Sequence, residues 1–109
     1  MPTAYKVLGQ SNPAAATATT LYTVPASTQT VVSTISVANI GTVVGTFRIA
    51  IRPAGATLAN QHYLVYDATL NGGDALTFTL GVTLATTDVI TVYGSSANFT
   101  FQAFGSELT

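Results

Sequence analysis

Residues 21–53, LYTVPASTQTVVSTISVANIGTVVGTFRIAIRP, contain two long segments in which apolar and polar side chains alternate. A period of two is typical of β-strands that bury one face and leave the other in solvent. The alternation predicts strands at 29–39 and 46–52, joined by a hairpin connection at 39–45, where Asn and Gly tolerate positive φ. The side chains predicted to face the core are Val31, Ile35, Val37, Phe47, Ile49 and Ile51.

Further short segments of the same kind follow, separated by turn residues. The strongest turn signal is Asn-Gly-Gly-Asp at 71–74. About eight strands at this spacing, without a helical pattern, predict an all-β fold. We expect a single antiparallel β-sandwich of jelly-roll or immunoglobulin-like topology. The strand predicted at 62–70 is apolar on both faces, which favours either a central position or a covering partner.

Residues 1–20 have a different character. A short alternation around Tyr5 predicts one strand near 4–8, and the tract SNPAAATATT that follows lacks apolar periodicity. We interpret residues 1–20 as an extended N-terminal arm, or alternatively a surface loop, and residues 21–109 as the β-sandwich domain. An arm of this kind is commonly ordered by a neighbouring subunit, across which it would reach.

The charge content is low, since only 6% of the 109 residues are Asp, Glu, Lys or Arg, against about 25% in an ordinary domain. Three cations are too few to neutralise the phosphates of a nucleic acid or to make a polybasic membrane surface. A net charge of −1 provides little repulsion between copies. The composition fits either an ordinary soluble monomer or, as we favour, a homo-oligomer whose exterior is covered by copies of itself or by a larger assembly.

Residues that could perform chemistry are sparse. His62 is the one histidine, and its expected role is a structural hydrogen bond, because a zinc site needs several His or Cys ligands. Asp74 and Asp88 stand at turns, where a carboxylate commonly accepts backbone N–H groups. We therefore predict a non-enzymatic protein with no catalytic, metal or cofactor site.

Four side chains are candidates for contacts between subunits: Arg48, Arg52, Tyr5 and Tyr22. Arg is enriched in protein interfaces, although a local ion pair with Asp67 would explain Arg48 equally well. A different class of protein, a carbohydrate-binding or host-adhesion β-sandwich, would use exposed aromatic platforms. The tyrosines that could form one are Tyr22, Tyr63, Tyr66 and Tyr93.

Four stretches of the chain resemble small virion structural proteins of tailed bacteriophages, particularly cyanophages. They are YKVLGQ (5–10), the opening stretch at 21–53, LANQHYLVYDATL (58–70) and TLGVTLATTDVITVYGSSANFTFQAFGSELT (79–109). The resemblance covers nearly the whole chain and is carried by structural motifs. It implies a non-enzymatic component of the virion, assembled in the host cytoplasm.

Within that group, the resemblance implies a capsid decoration (cement) protein, which would bind the major capsid protein and its own copies. The alternative is a tail, baseplate or fibre-associated module that binds tail proteins. The family supplies no catalytic residues to assign to this sequence.

Overall fold

The computed structural model describes residues 3–79 and 81–109, which form nine β-strands and two single 3-10 turns. The 3-10 turns are Pro53–Gly55 and Asn60–His62. The strands are β1 (Thr3–Ser11), β2 (Thr19–Thr23), β3 (Gln29–Asn39), β4 (Gly45–Arg52), β5 (Tyr63–Leu70), β6 (Ala75–Phe78), β7 (Val82–Leu84), β8 (Val89–Gly94) and β9 (Phe99–Leu108).

The strands make two antiparallel sheets, which confirms the predicted β-sandwich. Sheet 1 has the order β1-β9-β3-β6, with β7 also pairing with β3, and sheet 2 has the order β2-β8-β4-β5. If the two short strands β6 and β7 count as one interrupted strand, each sheet has four strands. Most consecutive strands then lie in opposite sheets, which is the jelly-roll arrangement of two Greek keys. The strand order therefore selects the jelly roll over the immunoglobulin-like alternative.

The core lies between the sheets and is centred on Phe47 of β4, whose side chain is fully buried. Its ring lies 6.1 Å from that of Phe78, 6.2 Å from that of Phe99 and 6.3 Å from that of Phe101, all on sheet 1. These separations suit edge-to-face and tilted aromatic contacts. The predicted core positions Ile35, Val37, Phe47 and Ile49 are confirmed as buried, and Ile51 is partly buried against the same cluster.

The prediction for Val31 is wrong, because β3 contains a β-bulge. The pairing of β3 with β9 shifts between Val32 and Thr34, so that Ser33 is an extra residue. Strict alternation breaks there, and Val32 is buried at 1% exposure whereas Val31 is 39% exposed on the outer face. The bulge also brings the Val31 carbonyl to 2.0 Å from where a Cβ on Gly105 would stand, so this position of β9 requires glycine.

The predicted hairpin at 39–45 is also wrong, since β3 and β4 belong to different sheets and this segment crosses between them. The crossing is held by Asn39, which is buried at 1% exposure. Its amide nitrogen donates to the carbonyls of Val43 (2.9 Å) and Leu70 (3.1 Å), and its side-chain oxygen accepts from the Gly41 N–H (3.1 Å). One buried amide thus replaces the ladder bonds that a hairpin would have supplied.

The extended N-terminal arm predicted for 1–20 is not confirmed. Met1 and Pro2 lie outside the described residues, but Thr3–Ser11 pairs antiparallel with β9 over its whole length as an edge of sheet 1. Thr19 and Thr20 belong to β2, which pairs with β8. The small-residue tract between them connects the two sheets.

Strand β5 lies at an edge of sheet 2, which excludes the central position considered for this doubly apolar segment. Its pairing with β4 shifts at two places, and Asp67 adopts a positive φ of 53°. These irregularities leave Leu64 and Tyr66 exposed, at 46% and 57%.

Candidate functional site

The outer face of sheet 1 is made of positions that carry no charged side chain. The side chains on this face are those that alternate along each strand with the buried side chains. They are Thr3, Tyr5, Val7 and Gln10 of β1; Thr100, Gln102, Phe104, Ser106 and Leu108 of β9; Gln29, Val31, Thr34, Ser36 and Ala38 of β3; Ala75 and Thr77 of β6; and Thr83 of β7. None of these positions is acidic or basic. Two charged residues border the face: Lys6 of β1, which pairs with Glu107, and Asp88, which bonds to backbone N–H groups at a turn. We call this surface the neutral face.

Exposed apolar side chains cluster at one end of the neutral face. Tyr5 is 85% exposed, Val7 49% and Val31 39%, and Phe104 is half-buried beside them. The pairing of β1 and β3 with β9 brings these side chains together, because Tyr5 and Val31 lie on either side of Ser106 and Val7 pairs with Phe104. These side chains line a shallow depression of about 460 Å³. Of the four predicted contact residues, Tyr5 is the one on this face.

Tyr22, the second predicted contact residue, lies in the core at 7% exposure. Its hydroxyl donates to a Glu107 carboxylate oxygen, and the Thr30 hydroxyl lies 2.8 Å from the Tyr22 oxygen. The other Glu107 oxygen forms an ion pair with Lys6 Nζ at 2.8 Å. Because β2 belongs to sheet 2 whereas β3 and β9 belong to sheet 1, this network ties the sheets together. Sequence spacing could not reveal it, since 85 residues separate Tyr22 from Glu107.

The network changes the acidity of two of its members. The contact with Lys6, followed by the Tyr22 hydrogen bond, holds the pKa of Glu107 below its ordinary value of 4.5 against the opposing effect of burial. Burial, followed by the hydrogen bond to Glu107, raises the pKa of Tyr22 to about 12. Both shifts keep the network in its paired form, with Glu107 ionised and Tyr22 protonated, throughout the neutral range.

A pH-dependent stability follows from Glu107. Its pKa is lower in the folded chain than in the unfolded one, so the stabilisation is complete above about 4.5 and is lost as the pH falls through the folded value. We expect Glu107→Gln to be less stable than the parent at pH 7 and the difference to shrink in acid. Urea unfolding between pH 7 and pH 2.5 measures this. A difference that stayed constant with pH would contradict the assignment.

Arg48, the third predicted contact residue, is fully engaged within the chain. Its Nε and Nη2 donate to the two Asp67 carboxylate oxygens at 2.6 and 3.3 Å, which confirms the local ion pair considered from the sequence. The guanidinium carbon also lies 4.3 Å from the Tyr66 ring centre and 4.2 Å from that of Tyr93. The hydrogen bond to Asp67 raises the pKa of Arg48 above its already high ordinary value.

Arg52, the fourth candidate, also bonds locally, on the outer side of sheet 2. Its Nε donates to the Thr91 hydroxyl at 3.0 Å, and its Nη1 donates to the Gly55 and Ala56 carbonyls at 3.2 and 3.0 Å. The guanidinium therefore closes the turn that follows β4. Both arginines thus support the fold of sheet 2.

His62 and Asp88, two further polar residues singled out in the sequence, act at turns. His62 Nδ1 accepts the Ala59 N–H at 3.0 Å, the structural hydrogen bond that was predicted. Asp88 accepts the N–H groups of Ala54 (2.8 Å) and Ala85 (2.9 Å), as expected for a turn carboxylate. Within residues 3–79 and 81–109, no three His, Cys, Asp or Glu side chains lie close enough to share a metal ion.

Two further exposed features lie outside the neutral face. The crossing between β3 and β4 exposes Ile40, Val43 and Val44 at 66%, 72% and 55%, which makes an apolar tip at one end of the sandwich. On sheet 2, the rings of Tyr63 and Tyr66 meet at 79° with centres 4.8 Å apart, and with Asn60 they line a cavity of about 350 Å³. The sequence pointed to these tyrosines, but their angle depends on the irregular path of β5.

Comparison of the chain with protein-family models, with curated proteins and with solved structures found no match. Among the described residues, the helical segments are too short to cross a membrane. The geometry of the surface therefore supplies the main argument for function.

Proposed function

We propose that this chain is a structural protein of a tailed-phage virion, a decoration subunit that associates with its own copies and binds the capsid shell. The observation that carries the proposal is the neutral face, an entire sheet surface without a charged side chain. The resemblance of four stretches of the sequence to small phage virion proteins points in the same direction. The jelly roll is compatible with it, since this architecture occurs in viral capsid proteins as well as in lectins.

The neutral face suits contact with a second copy for an electrostatic reason. In an interface about a two-fold axis, residue i of one copy contacts residue j of the other, so every charged side chain would need an oppositely charged partner across the axis or would be buried unpaired. Hydroxyl, amide and apolar side chains avoid that cost. Tyr5 adds a large, highly exposed aromatic side chain, a residue type enriched at the centre of interfaces.

The size of the face is also adequate. Three strands of about ten residues and the shorter row of β6 and β7, spaced about 4.8 Å apart, give a surface on the order of 600 Å² per subunit. Two such faces would bury about 1,200 Å², which is the lower end of the range of about 1,200–2,000 Å² for stable interfaces. We assign contact with the shell to the apolar tip, because Ile40, Val43 and Val44 are exposed and lie in the connection between the sheets, outside the neutral face.

Copy number in purified particles tests the proposal. A decoration protein is expected in hundreds of copies distributed over the head, and quantitative mass spectrometry with immunogold labelling would measure both properties. Val43→Asp should lower the number of copies on the head without altering self-association. Leu64→Asp, an equivalent change on sheet 2, should leave the number of copies on the head unchanged. A few tens of copies confined to the tail would contradict decoration and favour the tail or baseplate alternative.

A further inference from the structure

We propose that the corner formed by Tyr63 and Tyr66 on the outer side of sheet 2 is a binding site for neutral pyranose sugars. The two rings stand nearly perpendicular with centres 4.8 Å apart, so the edge of one ring packs on the face of the other and the corner between them is lined by aromatic ring faces. A pyranose presents C–H groups on its faces and hydroxyls around its rim. Its C–H faces suit the negative face of an aromatic ring.

The corner is held rigidly, which reduces the entropy lost on binding. The Arg48 guanidinium lies between the rings of Tyr66 and Tyr93 at 4.3 and 4.2 Å and is fixed in turn by both oxygens of Asp67. The guanidinium that stacks on the Tyr66 ring is thus itself anchored by two hydrogen bonds. At 57% exposure, this ring retains a large accessible surface.

Charge at the site favours a neutral ligand over an anionic one. Arg48 is the one cation near the corner among the described residues, and it is neutralised by Asp67 and stacked between two rings. A sialic acid or sulfated sugar would therefore find no free positive charge. The Asn60 amide at the rim offers a donor and an acceptor together, which matches a hydroxyl better than the acceptor-only carbonyls of a proline-rich peptide.

The cavity has the size of a small binding site. Its volume of about 350 Å³ lies at the lower end of the range of about 300–1,000 Å³ found for ligand sites. It lies on the opposite sheet from the neutral face, so sugar binding and self-association can occur in the same molecule. The inference therefore stands independently of the proposed virion role.

Titration of the ¹⁵N-labelled chain with cellohexaose, maltohexaose, mannohexaose and chitohexaose, followed by NMR, tests the site. We expect at least one of these neutral oligosaccharides to shift the amide signals of residues 60–67. Tyr66→Ala should weaken that binding about tenfold, the effect of losing one aromatic contact. Tyr66→Phe, which keeps the ring, should bind nearly as well as the parent.

Tyr5→Ala is the matched control, because it removes an even more exposed tyrosine from the other sheet. It should leave sugar binding unchanged, and an equal loss in both variants would overturn the assignment. Sialyllactose and a proline decamer are titrated separately, as probes for an anionic sugar and for a proline-rich peptide. Shifts at residues 60–67 with either of these and with none of the four neutral sugars would also overturn it, as would the absence of shifts with all six.

Discussion

Phe47→Ala is expected to lower the free energy of unfolding by about 3–5 kcal/mol, the cost of removing a buried phenylalanine from a packed core. Phe47 is fully buried, and its ring contacts three phenylalanine rings of the opposite sheet. Truncation would leave a cavity between the sheets that the sandwich cannot close without moving whole strands. The loss is a large fraction of the stability of a domain of this size.

Urea unfolding monitored by circular dichroism measures that loss. Phe104→Ala is the matched control, because it makes the same chemical change at a half-buried ring on the neutral face. Measured in dilute solution, where copies are dissociated, the control should lose well under half as much stability as Phe47→Ala. Equal losses would contradict the placement of Phe47 at the centre of the core.

Val31→Lys is expected to weaken self-association by about 100-fold or more, because each interface would bury two uncompensated lysines. Val31 faces outward beside Ser106, so the substitution should leave the fold and its circular dichroism unchanged. Leu64→Lys is the matched control on sheet 2, where an apolar side chain of similar exposure is replaced by the same charge. Equal association of Val31→Lys and the parent would contradict the assignment of the interface.

The side of the sheet on which Val31 lies could not be predicted from the sequence. Alternation correctly predicted the strands and most of the core, since a period of two is a property of each strand alone. It placed Val31 inside because Val31 and Val32 are both apolar, and a serine bulge cannot be distinguished from an ordinary strand position. One extra residue at Ser33 exchanged the roles of the two valines.

Connections between the sheets were harder to predict than the strands. Asn and Gly at 39–45 favour a turn, but they do not specify whether the chain returns to the same sheet or crosses to the other. The crossing depends on Asn39 reaching the carbonyl of Leu70, 31 residues away. The alternation around Tyr5 likewise predicted a strand near 4–8, but it could not predict that residues 3–11 pair with β9 at the other end of the chain.

The candidate sites depended on tertiary structure in the same way. The scarcity of charge was visible in the composition, but its consequence, a sheet face without charged positions, required the register of five strands. Tyr22 could not be assigned to the core from its neighbours alone, because its partner Glu107 lies near the other end of the chain. The stack of Arg48 between two tyrosines likewise joins three different strands.

Sedimentation velocity of the unmodified chain over a range of concentrations tests the central claim most directly. If the neutral face binds a second copy, the sedimentation coefficient should rise with concentration from that of an 11.2 kDa monomer toward that of a dimer or larger species. The rise should occur at higher concentration for Val31→Lys and remain unchanged for Leu64→Lys. A chain that stays monomeric at millimolar concentration would contradict the account.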